Sequence, residues 1–209
     1  MDLTGTIFVV LIVVLSAIIH EVMHGVAADW LGDHTARYAG RLTLNPLVHL
    51  DPMGSVMLPL LLALSHSPIM FGWAKPVPYN PYNLRPGRFS EAIVAGAGPA
   101  SNAVIALIFG LAIRSGLFPS DISGNVLLPI VVINVILTVF NLIPVPPLDG
   151  SKVLSSILPG ELARSYDRLR ITLERNPVIG MLIVVLGVYA LGSAFGTIVY
   201  SIASSIAGL

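Results

Sequence analysis

Long uncharged, apolar runs divide the chain: Leu3 to Ile19, Ala92 to Ile113, Ile122 to Leu148 and Asn176 to Leu209. A helix needs roughly 20 such residues to cross the hydrocarbon of a bilayer, so each run predicts a membrane helix, the first continuing into the polar residues that follow it. A fifth apolar stretch, Pro52 to Ala74, contains Pro52, Pro59, Pro68 and His66, and either spans or enters and returns. Between the first two runs, Thr35 to Leu44 has β-type composition and stops at Asn45-Pro46, which predicts a short strand or hairpin near the membrane surface. The stretches 45–52 and 71–78 are too rich in proline for regular helix. Non-helical backbone at membrane depth is tolerated where protein or a water-filled cavity covers it, so these pieces are expected to line a cleft. From 160 to 176 the apolar positions Leu162, Tyr166, Leu169 and Leu173 recur at helical spacing among Arg164, Asp167, Arg168, Arg170, Glu174 and Arg175, the pattern of a helix lying on a membrane surface or of an amphipathic connector.

Composition agrees with a membrane protein: 55% of the 209 residues are hydrophobic, only 11% are charged, and the mean hydropathy is +0.87. The expected fold is an all-α polytopic membrane protein of five to six membrane helices or segments, with a short membrane-associated β-hairpin and re-entrant extended loops. It is read as one domain over 1–209, with a core of 3–152, a surface helix at 160–176 and a packing helix at 177–206. That last helix carries Gly192 and Gly196 at a spacing that lets another helix approach, expected to be one of the same chain. Eleven Lys plus Arg balance eleven Asp plus Glu, so no nucleic-acid partner is expected. Cysteine is absent, which excludes disulfides, thiol catalysis and cysteine-ligated zinc. Met1-Asp2 lacks the basic start of a secretory signal, and cleavage after the first run would destroy the motif that follows, so the segment is expected to be retained.

That motif is His20-Glu21-Val22-Met23-His24, at the end of the first apolar run. On a helix, positions i and i+4 lie about 40° apart around the axis, so His20 and His24 share a face and can share a metal ion. Glu21 beside them can take a proton from water, and H-E-x-x-H is the working core of zinc-dependent peptide hydrolysis. Three ionisable groups inside a membrane segment are costly without a function. Two imidazoles leave zinc short of a protein ligand. Asp149, in Phe140-Asn141-Leu142-Ile143-Pro144-Val145-Pro146-Pro147-Leu148-Asp149-Gly150, sits at the margin of an uncharged run broken by three prolines. It is either that ligand or the N-cap of a following helix. Asn141 and Asn102 can hydrogen-bond a substrate backbone or a developing oxyanion, or bridge helices through their amides. His49 is a support to the metal site, an accessory metal ligand or a structural residue of a Pro-rich loop, and His66 has a weaker claim to function.

Together these features resemble the site-2 protease family of intramembrane zinc metalloproteases: HExxH in the first core helix, Asn-x-x-Pro followed by Leu-Asp-Gly in the third, with further likeness over Gly96 to Asn102 and Phe71 to Pro78. The resemblance runs from about Ser16 to Lys152. It implies one Zn2+ per chain held by His20, His24 and Asp149, Glu21 as general base, Asn141 at the substrate or oxyanion, and substrate contacts from Asn102, Trp73 and Lys75. It implies a membrane-embedded, single-pass protein substrate and a bacterial or archaeal cell membrane. Many members of that family carry a PDZ or CBS domain, and the 209 residues are expected to hold neither. Extended backbone at 71–82 would pair with an unwound substrate as an added strand. Lys and Arg set the topology: with residues 25–88 and 149–176 cytoplasmic, ten cations lie inside and only Arg114 lies outside, which turns the active site to the cytoplasm. The rival reading is a membrane metal transporter or metal-binding scaffold, and Glu21 separates the two, because only a hydrolase needs its carboxylate for turnover.

Overall fold

The computed structural model describes residues 3–57, 60, 61, 64 and 74–209. Four helices in it are long and apolar enough to cross a membrane: α1 (Leu3–Trp30), α3 (Ser90–Arg114), α4 (Ser120–Asn141, with a π-helical turn at Ser123–Leu127) and α7 (Pro177–Ala207). Shorter helices α2 (Thr35–Tyr38), α5 (Asp149–Ile157) and α6 (Gly160–Arg175) connect them. Among the described residues the chain is all-helical.

Side chains four apart stack into ridges, and the spanning helices bury such ridges against each other. On α1 the buried residues include Ile12, Ser16, His20, His24 and Ala28. On α3 they include Val94, Gly98, Asn102, Ala106 and Gly110, and this central helix packs on α1, α4, α5 and α7. Leu127, Val131 and Val135 of α4 and Val199, Ala203 and Ala207 of α7 complete the pattern, with Ala106 in the apolar cluster between α3, α4 and α7. Gly110 permits that approach, since a Cβ there would run into Ile206 of α7.

The expected strand at 35–44 is instead a turn of helix followed by tight turns. Asp33 accepts from the Thr35 N–H (3.2 Å) and hydroxyl (2.6 Å), and the Arg41 N–H donates to Ala36 O at 2.9 Å. β-type composition describes fit to a neighbouring strand; without one, local hydrogen bonds prevail. The fifth apolar segment falls mostly outside the described residues, as do Trp73 and His66. Among the described residues, a Cβ built on Gly192 or Gly196 meets nothing within 4 Å, so no helix of the described chain packs at that pair.

Helix ends gather in two layers. In one, the Arg85 N–H donates to Leu31 O at the end of α1 (2.8 Å), Arg88 donates to the carbonyls of Ser156 and Leu158 ending α5 (both 2.9 Å), and Arg170 of α6 pairs with Glu91 at the start of α3 (2.8 Å). In the other, the end of α7 at Gly208 lies against Arg114 of α3. Ten of the eleven Lys and Arg belong to segments at the first layer.

Candidate metal centre and catalytic cavity

The helical spacing of α1 brings His20 and His24 together with ring centroids 4.7 Å apart, both buried. Their Nε2 atoms point to one place, and Asp149 arrives there from the far end of the chain. Its Oδ2 lies 3.1 Å from His20 Nε2 and 3.2 Å from His24 Nε2. The prolines between Asn141 and Asp149 explain the arrival, because α4 cannot continue through Pro144, Pro146 and Pro147, and the chain turns before α5. Gly150 lets it turn tightly: a Cβ there would strike the carbonyl of Leu142. Asp149 is the first residue of α5 and Leu148 stands at its N-cap, so the N-cap alternative is not what the structure shows. The partial positive charge of the helix N-terminus favours its carboxylate.

These three atoms fit a metal ion. The Nδ1 of His24 faces the carbonyl of Val94 at 2.7 Å, which can only accept, so Nδ1 carries a hydrogen and Nε2 is the nitrogen turned to Asp149. Ligands on a tetrahedral zinc at ~2.0–2.1 Å lie about 3.3 Å apart, close to the separations observed. Gly98 keeps the place clear: a Cβ there would sit 2.5 Å from His24 Nε2 and 2.6 Å from His20 Nε2.

Glu21 lies beside this point, its carboxylate, His20 and His24 offering ligand atoms within 4.8 Å of one another. Its Oε2 accepts from the Val77 N–H at 3.0 Å. Val77 belongs to a non-helical strap over residues 74–80, held by the Lys75 N–H on His49 O (2.8 Å), by Arg41 on Lys75 O (2.8 Å) and by the Asn80 N–H on Asp33 Oδ2 (2.6 Å). Gly25 allows the strap to close on α1, since a Cβ there would come within 2.7 Å of Val77 Cγ1. A cavity of about 190 Å³ separates strap and metal ligands, lined also by Tyr79, Asn141 and Lys152.

The other predicted residues are placed as follows. Asn141 lines the cavity, with one amide hydrogen on Leu137 O at 2.9 Å. Asn102 does not reach it: fully buried, it stands behind His20 with Oδ1 2.6 Å from His20 Nδ1, and its Nδ2 donates to Ser16 O (3.2 Å) and Asn134 Oδ1 (2.9 Å). Its bridging of helices is the alternative that the geometry fits. Lys75 is exposed, and only its backbone joins the strap. His49 is buried with Nε2 on Thr43 O (2.8 Å), away from the metal ligands, and serves the loop that holds the strap. Lys152 escaped the sequence reading. It is the one Lys or Arg among the described residues lining the cavity, with Nζ 5.1 Å over the Tyr79 ring. Burial opposes its charge, but Tyr79 and the Asp149 carboxylate push its pKa above the ordinary lysine value, so it is a cation at neutral pH. Its place one helical turn after Asp149 was the available signal.

Comparison with known proteins decides the affiliation. The pattern of Peptidase family M50 matches residues 120–186. YwhC of Bacillus subtilis, named as a candidate zinc metalloprotease, is 34% identical over 160 residues, covering 73% of this chain and 69% of YwhC. The chain belongs to peptidase family M50. Rip2 of Mycolicibacterium smegmatis, named likewise, is 34% identical over 155 residues, 72% of this chain and 57% of Rip2, so the chain spans little more than half the length of that relative. No solved structure matches. As a member of M50 the chain is a zinc metalloprotease, and its four apolar helices make it an integral membrane protein.

Proposed function

We propose that this M50 protein hydrolyses a peptide bond of a transmembrane substrate within the bilayer, with zinc held by His20, His24 and Asp149 and Glu21 as general base. The observation that carries the proposal is the convergence of Asp149 Oδ2 on both Nε2 atoms inside a membrane helix, with Glu21 and a cavity beside them. A zinc ion there supplies Lewis acidity, acidifying a water and polarising a peptide carbonyl. Glu21, oriented by the Val77 N–H, takes one proton from that water as its oxygen bonds to the carbonyl carbon. The same carboxyl returns the proton to the nitrogen as the C–N bond breaks, giving an acid and an amine. Asn141 has an amide hydrogen beyond the one on Leu137 O, and turns it to the developing oxyanion.

The substrate segment must leave its helix first, because helical hydrogen bonds occupy the carbonyls. An extended segment can then lie along the strap. The site faces the layer that holds ten of eleven Lys and Arg, which supports a cytoplasmic active site in a cell membrane. In that layer α6 leaves Leu162, Leu169 and Ile171 exposed and so rests on the membrane surface.

The test is Glu21→Gln in the purified full chain with a model single-pass substrate. Zinc content stays at one per chain and cleavage is abolished, because an amide cannot take the proton. Cleavage at the parent rate refutes the general base. In parallel, full zinc occupancy in Asp149→Ala removes Asp149 from the ligand set.

A further inference from the structure

Behind the metal ligands lies a buried polar chain that crosses three spanning helices. The carbonyl of Ile130 can only accept, so the atom of Asn134 facing it at 2.9 Å is Nδ2. The same Nδ2 donates to Ser16 Oγ at 3.0 Å, and Asn134 Oδ1 is left to face Asn102 Nδ2 at 2.9 Å. Independently, the carbonyl of Ser16, 3.2 Å from Asn102 Nδ2, demands a donor there. The Oδ1 of Asn102 must then be the atom 2.6 Å from His20 Nδ1, and Nδ1 must carry the hydrogen. Backbone carbonyls of α1 and α4 thus dictate, through two side-chain amides, that Nδ1 of His20 carries a hydrogen and that Nε2 is the nitrogen turned to Asp149 Oδ2. Asn102 and Asn134 are both 0% exposed, so water cannot substitute for either partner.

We propose that Asn102, oriented by Ser16 and Asn134, is a positioning residue that fixes His20 in the tautomer able to bind zinc through Nε2. The proposal rests on the reading of His20 as a zinc ligand. His24 obtains the same tautomer from the backbone carbonyl of Val94, so only the His20 device can be removed by substitution. Loss of such a partner weakens metal affinity by about 10- to 100-fold.

The experiment measures zinc affinity of the full chain in detergent, by competition with a chelator, for the parent, His20→Ala, Asn102→Leu, Asn102→Asp and Asn134→Leu. Asn102→Leu is expected to bind zinc about 10- to 100-fold more weakly. Asn102→Asp offers only acceptors to Nδ1 and is expected to stay within a few-fold of the parent, although its charge faces Ser16 O. A merely structural amide predicts the opposite order, since the buried charge disrupts the bridge more than leucine does. Asn134→Leu is expected to cost less than Asn102→Leu, because Ser16 O still orients Asn102. Nitrogen NMR of histidine-labelled, zinc-free parent protein gives a readout that needs no variant: hydrogen on Nδ1 of His20 supports the proposal, and a ring with hydrogen on Nε2 and none on Nδ1 overturns it. Parent-like affinity in Asn102→Leu, or Asn102→Asp binding no better than Asn102→Leu, also overturns it. Parent-like affinity in His20→Ala removes the ligand assignment itself and this inference with it.

Discussion

Helices α1 and α7 read alike as strings of residues: 28 and 31 long, apolar almost throughout, each burying residues at four-residue intervals. What stands on the ridge separates them. On α1 it holds Ser16, His20 and His24, and on α7 Val199, Ala203 and Ala207. A polar ridge inside a membrane obliges its neighbours to be polar too, because unsatisfied groups cannot turn to water. Hence α3 supplies Asn102 and α4 supplies Asn134 opposite α1, while Val199 and Ala203 of α7 pack into an apolar cluster with Ala106, Val131 and Val135. Apolar length says that a helix crosses; the ridge says what the crossing is for.

The sharpest way to break this contrast is a glycine on the helix opposite α1. Gly98→Ala adds a Cβ 2.5–2.6 Å from both histidine Nε2 atoms, in the place the ion would take. Zinc content and proteolysis are expected to be lost together, and the zinc-free protein is expected to be less stable by about 1–3 kcal/mol, because the buried imidazoles must shift to admit the methyl group. Metal analysis and thermal unfolding with chelator check both signs, and full zinc occupancy would show that the three ligand atoms do not surround the ion as proposed.

Asn141→Ala tests the cavity side of the same region. Removing one oxyanion donor slows turnover by about 10- to 1000-fold. Zinc affinity should not change, because Asn141 touches none of the three ligand atoms through a hydrogen bond and bonds back to Leu137 O. A parent-like rate for a model transmembrane substrate would make Asn141 structural.

The gathering of His20, Glu21, His24 and Asp149 was legible in the sequence because each is an ionisable group where an apolar run makes such groups costly. The four spanning helices were legible for the complementary reason, length without charge. Asn134 and Ser16 were not, since uncharged polar residues in an apolar run are common. Only the four-residue ladder, seen with its facing helices, shows that Ser16 must be answered by an amide. The 35–44 segment misled because its composition fits a strand, while Asp33 two residues before Thr35 redirected the backbone.

Asp33 is also the strap's anchor, and pH reports on it. Burial pushes its carboxyl up, but bonds from Thr35, Asn83 and Asn80 outweigh that and hold the pKa below the ordinary value. A depressed folded-state pKa contributes stability that is present above the unfolded value of about 3.9 and lost as pH falls through the folded one. In Asp33→Asn the amide NH2 must face a donor on one side, so unfolding is expected to be easier by about 2 kcal/mol at neutral pH. The variant's melting temperature should also fall less steeply than the parent's below pH 4, and an equally steep fall would assign the acid lability elsewhere.

The smallest effect belongs to α7. Among the described residues an added Cβ at Gly192 or Gly196 meets nothing within 4 Å, and neither has the positive φ that would demand glycine. Alanine at either position removes backbone freedom from the unfolded chain and is expected to stabilise by about 0.5–1 kcal/mol. Zinc affinity and turnover should match the parent, since α7 carries no Asp, Glu, Lys, Arg or His and, among the described residues, none of the cavity lining. Thermal unfolding, chelator competition and cleavage of the model substrate together decide it. The pair of glycines then stands against Gly98: the same substitution, in another spanning helix, raises stability and leaves the chemistry alone. If Gly196→Ala instead lowers both melting temperature and molecular mass in detergent, the open face of α7 is covered by a second chain, and the contrast with α1 becomes one between a catalytic ridge and an assembly surface.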